Sequence, residues 1–323
     1  MNRTFILTSA LFIGVLVSFF LAMMIGVEHY SFTTVLHSLL NSSTPDNVTQ
    51  TLVEIRLPRV LVAFVVGMMI SVAGLIMQTV THNDLSEPSI LGINAGANLM
   101  IVLMVVIVPT VSFIGIIFSG FIGGAAVGII ILMMTKYNSP VKLVLAGAGI
   151  SLLLYALTNF IVITNGLGQF AMFFTSGGAA GQSLANILTV IPIALLLIGA
   201  LVMMSRELDI LMLNDEVARS IGQNQRIYKF ATLFIAILLA AISVALVGNI
   251  IFLGMLVPHI VKMLIGYSHQ KTIIFTAILG GVFFVLADMF ARMFSEMPVN
   301  AVISMIGLPF FIYVIRKRGH RYA

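Results

Sequence analysis

The chain has no cysteine and no tryptophan, and only 8% of its 323 residues are charged. Soluble domains charge about a quarter of theirs, so an ordinary water-facing surface is excluded. Without cysteine there is neither a disulfide framework nor thiolate ligation of a metal. No G-x-x-x-x-G-K-[ST] segment is present to cradle a nucleotide phosphate, and no H-E-x-x-H segment to hold zinc. The six histidines are scattered along the chain and form no ligand set. The apolar runs are continuous rather than alternating, which excludes a membrane β-barrel. No polar stretch is long enough for a separate soluble domain, so residues 1–323 read as one membrane domain.

What remains is apolar. Hydrophobic residues make up 60% of the chain and the mean hydropathy is +1.15. A bilayer-spanning helix needs about 20 apolar residues, and in hydrocarbon only helices or closed barrels satisfy their own backbones. The pattern predicts an all-α polytopic membrane protein with about ten transmembrane helices. The expected spans are 4–27, 59–80, 89–108, 111–135, 143–164, 187–204, 229–249, 258–266, 272–294 and 300–315. The first is read as a retained span, because no small-x-small cleavage site precedes His29. The eighth is too short to cross alone, and Gly248, Gly254 and Pro258 interrupt its run, which predicts a kinked or re-entrant segment.

The few charges set an orientation. With both termini in the cytoplasm, thirteen of the sixteen Lys and Arg fall inside and three fall outside. The opposite orientation would invert that ratio against the positive-inside rule. The net charge of +5 therefore reports topology and a lipid environment, not nucleic-acid binding. The three outer residues, Arg56, Arg59 and Arg292, break the trend. They read either as snorkelling side chains at helix ends or as a docking site for an acidic partner. Asp288 is the one acid expected within a span, and Arg292 follows it by one turn on the same face.

Three further segments stand out. A polar hairpin, Gln78 to Pro88, separates the second and third spans and contains Asn83, Asp84 and Leu85. As a bare pattern it is a turn with proline at a helix entry. The loop at about 206–228 has the look of a short amphipathic helix: Asn214 or Asp215 can cap it, acids occupy its first turn and Gly222 can end it. It reads as a solvated connector or as a helix fitting a partner's groove. Gly248 to Lys262 reads as helix, break, helix, with His259 and Lys262 toward the inner half.

Taken in order, these segments resemble the FecCD-type permease family, the membrane subunits of ABC importers for ferric siderophores, haem and cobalamin. The matching pieces include Arg56-Leu-Pro-Arg59, the Gly67, Gly74 and Gln78 face, Asn83 to Pro88, Asn214 to Gly222, Phe252 to His259, Leu286-Ala-Asp288, Glu296-Met-Pro298 and Gly307 to Phe310. The resemblance implies an ABC type II importer permease architecture in a bacterial inner (cytoplasmic) membrane. It implies four kinds of neighbour: lipid, a second permease (a paralogue or a second copy), two cytoplasmic ABC ATPase subunits and an extracytoplasmic substrate-binding protein. ATP and Mg would sit on the ATPases, and this chain would bind no cofactor and have no catalytic or metal site of its own. By the same resemblance Arg56, Arg59 and Arg292 meet the binding protein. Leu213, Asn214, Asp215, Glu216, Ala218, Arg219 and Gly222 form the ATPase coupling helix, and Asn83 and Leu85 lie at the cytoplasmic gate.

Two departures from the family are visible. Asp84 stands where relatives often have proline, adding an acid to the gate hairpin. The loop Phe173 to Gly178 lacks the tryptophan common there. Thr158, Asn159, Thr164, Asn165 and Gln169 are the polar candidates for the path, and hydroxyls in so apolar a helix serve first in helix packing. The favoured cargo is a ferric siderophore, with haem and cobalamin as alternatives. An ion-coupled secondary transporter is the rival class, and it lacks the midplane ion ligands such proteins use. A hydrolase built on Ser176 and His259 would need a nucleophile–base contact.

Overall fold

The computed structural model describes residues 3–41, 46–134, 140–168, 177–213, 215–220 and 222–319, and every regular element among them is helical. In chain order these are α1 (Arg3–Met24), α2 (Phe32–Leu40), α3 (Asn47–Gln50), a wide π-turn (Thr51–Arg56), α4 (Leu57–Thr81), α5 (Ile93–Ile107), α6 (Phe113–Met134) and α7 (Pro140–Thr164). Then come α8 (Leu184–Met203), α9 (Ser205–Leu211), α10 (Asp215–Ser220), α11 (Gln225–Val247), α12 (Leu253–Ile265), α13 (His269–Met293) and α14 (Val299–Gly319). Seven of these helices are long and apolar enough to cross a membrane, and α5, α12 and α14 are apolar but shorter. Each of the ten expected spans falls on one of these ten helices.

Helix α4 is the axis of the bundle. It is buried along most of its length against α13, α11 and α12. Two glycines allow this. A methyl group on Gly67 would collide with the Gly280 carbonyl oxygen of α13. One on Gly74 would collide with the Gly254 carbonyl oxygen of α12. Lipid gives helices no hydrophobic reason to associate, so such backbone-to-backbone approach supplies the packing. The faces turned away from α4 are apolar and exposed, as at Leu152, Leu153, Phe160 and Ile163 of α7.

Two expectations are corrected. Pro58 itself stands in the first turn of α4, although helical turns precede α4 continuously from Asn47. The π-turn sits directly before it, where the proline ring has no N–H to give a regular ladder. The short helix expected between Asn214 and Gly222 is α10, but a further helix, α9, precedes it in the same loop, and the chain turns at Met212 and Leu213 between the two. The break before α12 comes earlier than the glycine and proline pattern suggested. Gly248 (φ +74°) ends α11, residues 249–252 carry no helix, and Gly254 and Pro258 lie inside α12.

Candidate functional site

Helices α4 and α13 run antiparallel, so their ends define two polar clusters. At the first, Arg59 of α4 makes a fork to each of two acids. Its Nε and Nη2 donate to Asp288 of α13 at 2.9 and 3.2 Å, and its Nη1 and Nη2 to Glu296 at 2.9 and 2.8 Å. Asp288 also accepts from the Ala179 backbone N–H at 3.3 Å, and Arg292 Nε lies 3.4 Å from it, as the one-turn spacing predicted. Arg292 donates to the Ala22 carbonyl at 2.9 Å. Arg56 donates to the Met23 carbonyl at 2.8 Å and to the Glu28 carbonyl, and its guanidinium lies over the Tyr30 ring at 4.6 Å.

The three arginines are thus brought together, but not as free groups on a rim. Arg56, Arg59 and Arg292 are 7%, 8% and 4% exposed. Most of their donors serve the chain's own acids and carbonyls, because a guanidinium at this depth must be paired, and Arg292 Nε has only the 3.4 Å ion-pair contact with Asp288. The exposed member is Glu296, whose side chain is 51% accessible. The hydrogen bond from Arg59 holds its carboxyl below the usual Glu range, and partial burial opposes that shift. Ser295 and Glu296 both adopt positive φ (55° and 61°), a conformation non-glycine residues seldom take.

The second cluster surrounds the other ends of α4 and α13. The hairpin after α4 opens at His82 in a left-handed turn, and Asn83 Oδ1 accepts from the Leu85 N–H at 3.1 Å. Asn83, Asp84 and Leu85 are half-buried. Glu87 is fully buried and reaches the start of α12, accepting from the Phe252 and Met255 N–H groups at 2.9 and 3.1 Å and from the Ser89 hydroxyl. It satisfies donors that a broken helix would otherwise leave orphaned. Burial pushes its carboxyl above the usual range, and those three donors oppose the rise. Lys262 of α12 donates to Gln78 Oε1 at 2.7 Å and to Asp84 at 3.1 Å, so the acid that departs from the family pattern has a partner. His269, at the start of α13, meets Asp209 of α9 through Nδ1 at 2.6 Å and Thr79 of α4 through Nε2 at 2.8 Å.

Beyond α9, Ala218 of α10 is buried while Leu213 and Val217 are exposed. Asp215, Glu216 and Arg219 lie on α10, Gly222 has φ +81° as a helix-ending glycine should, and Asn214 lies outside the described residues. The Gln223 side chain donates to the Glu207 carbonyl at 3.0 Å, tying this segment back to α9.

The path candidates are not gathered into a site. Thr158 is buried and gives its hydroxyl to the Leu154 carbonyl, and Thr164 and Asn165 likewise bond their own helix. Asn159 is exposed, and Gln169 and Ser176 lie outside the described residues. A buried polar chain that sequence reasoning missed lies elsewhere. Asn94 of α5 donates to Asn249 at 2.8 Å, Asn249 donates to the Tyr155 hydroxyl, and Asn300 donates to the Asn249 carbonyl at 2.6 Å. Its signal was the amide at the break after Gly248, a polar residue where backbone groups need partners. Among the described residues no three His, Asp or Glu converge as a metal cage.

A model of the FecCD transport family matches residues 14–317. The Fe(3+)-citrate import system permease protein YfmD of Bacillus subtilis is 37% identical over 81% of this chain and 80% of its own length. The iron(3+)-hydroxamate import system permease protein FhuG of Bacillus subtilis is 34% identical over 98% of both chains. Among solved structures, an inward-facing metal-chelate-type ABC transporter superposes with a TM-score of 0.81 at 25% identity, over 97% of this chain and 99% of that one.

Proposed function

The chain belongs to the FecCD transport family, and from that membership we propose that it carries ferric chelates inward, ferric citrate or a siderophore, across a bacterial cytoplasmic membrane. It is the permease subunit of an ABC importer. The observation that carries the cargo assignment is the near-complete match to permeases of iron(III)-citrate and hydroxamate import. The chain has no cysteine thiolate and, among the described residues, no carboxylate–histidine cage, which suits an iron that crosses inside its chelator.

The work is divided between the two clusters. By the charge count the Arg59 end faces outward, and an extracytoplasmic binding protein docks over it. A docking carboxylate reaches Arg59 by displacing Glu296, the accessible member of the fork. Two ATPase subunits, holding ATP and Mg, grip α10 and the exposed Leu213 and Val217 beside it. Their closure moves the hairpin at Asn83 and Leu85. A second permease, a paralogue or another copy, completes the path.

The test is ATP-driven uptake of radiolabelled ferric citrate into liposomes carrying the permeases and ATPases, with binding protein supplied outside. Accumulation that requires ATP and binding protein is expected. Accumulation driven by a proton or sodium gradient without ATP would replace this reading with a secondary transporter. Uptake of haem or cobalamin instead would change the cargo. In the same assay Glu296→Ala is expected to hold the binding protein more tightly than wild type, since the competitor for Arg59 is gone. Weaker capture would overturn the displacement step.

A further inference from the structure

We propose that Asp209, His269 and Thr79 form a strut that positions the gate hairpin against the coupling segment. The inference rests on the coupling and gate roles proposed above and names the residues that connect them.

The three side chains come from three elements: Asp209 from α9, His269 from α13 and Thr79 from α4. The imidazole stands between the other two, 2.6 Å from the carboxylate and 2.8 Å from the hydroxyl. Since a carboxylate only accepts, Nδ1 carries the hydrogen that faces Asp209. His269 is 2% exposed. The Asp209 carboxylate also accepts from the His269 backbone N–H at 2.9 Å, and so caps α13 from another helix.

Both ends of the strut continue into moving parts. On one side, Gln223 joins the exit of the α10 segment to the Glu207 carbonyl of α9, two residues before Asp209. On the other, Thr79 is followed within three residues by the hairpin, and its neighbour Gln78 shares Lys262 with Asp84 of that hairpin. A displacement of α9 therefore reaches the hairpin through one rigid ring with a nitrogen on each side. A glutamine side chain presents both its polar atoms at one end and cannot face two helices this way.

A cap that only stabilises the fold and a strut that transmits motion differ in one measurable quantity, the cargo moved per ATP hydrolysed. The experiment uses the full complex in liposomes with binding protein and ferric citrate, comparing wild type with Thr79→Val, His269→Gln and Thr79→Ser. Thr79→Val keeps the shape and removes the hydroxyl. We expect Thr79→Val and His269→Gln to assemble with the ATPases and hydrolyse ATP while uptake per ATP falls about tenfold, the scale of one lost hydrogen bond in a charged chain. Thr79→Ser, which keeps the hydroxyl, is expected to restore the wild-type ratio. An unchanged ratio in Thr79→Val and His269→Gln would overturn the strut, as would uptake and hydrolysis falling in parallel. Wild-type liposomes report the importer reading separately: no ATP-driven uptake there overturns that reading and the strut with it.

Discussion

The two ends of the α4–α13 pair hold their polar groups in opposite ways. At the Arg59 end, guanidinium and carboxylate groups chiefly join long helices to one another, Arg59 of α4 to Asp288 of α13 and Arg292 of α13 to the α1 backbone at Ala22, with Glu296 of the next connection held by the same Arg59. At the His269 end, the bonds run largely to the hairpin and to a short helix: Lys262 to Asp84 in the hairpin, Glu87 of the hairpin to the start of α12, and His269 to Asp209 of α9 as well as to Thr79 of α4. The first arrangement cross-links the frame. The second attaches loops to that frame at discrete points, and such attachments can be exchanged one at a time. The same two helices thus carry a fixed end and an adjustable end.

The sharpest way to break the comparison is at Asp288. Asp288→Ala leaves Arg59 and Arg292 buried with a counter-charge removed, a change that typically costs about 3–5 kcal/mol. Thermal unfolding in detergent should show the largest loss of any variant named here, and wild-type stability would contradict the fixed-end description. Gly74→Ala comes next, because its methyl would meet the Gly254 carbonyl and overpacking costs about 1–3 kcal/mol. It should lower the yield of folded protein, whereas Gly149→Ala, with open space at that position, should not.

Lys262→Ala sharpens the contrast from the adjustable end. It leaves Gln78 and Asp84 short of a donor, worth about 1–3 kcal/mol, and it should alter uptake more than unfolding temperature. Equal effects on both would make this end as structural as the other. The smallest effect is expected at Glu296→Gln, because a half-exposed pair is worth about 1 kcal/mol at most. Its sign with pH is fixed. Arg59 lowers the Glu296 carboxyl, so the contribution is complete above the ordinary value of 4.5 and is lost as pH falls through the lowered one. The stability difference between Glu296→Gln and wild type should therefore close on acidification.

The sequence made the helices legible because hydrophobicity is a local property: every expected span overlaps an apolar helix, and the Asp288–Arg292 pair follows from spacing on one helix. The charge count singled out three arginines and the fold does bring them together. It misjudged their exposure, because counting sides of a membrane says nothing about depth within a bundle. Arg59 and Asp288 are 229 residues apart and His269 and Asp209 are 60 apart, so those pairings exist only once the helices pack. The split of the loop after Arg206 into α9 and α10 was hidden by Leu211-Met212-Leu213, an apolar run that continues the helical pattern across a turn. The path candidates Thr158 and Thr164 illustrate a related point: a threonine hydroxyl in an apolar helix finds its own backbone first.

The opening donors of α12 are answered by Glu87, a side chain that arrives from across the bundle. Neither piece can shift by itself without stripping that thirteen-residue helix of its anchor inside the fold. Any displacement that keeps those bonds must carry turn and short helix together, as a crank carries its arm.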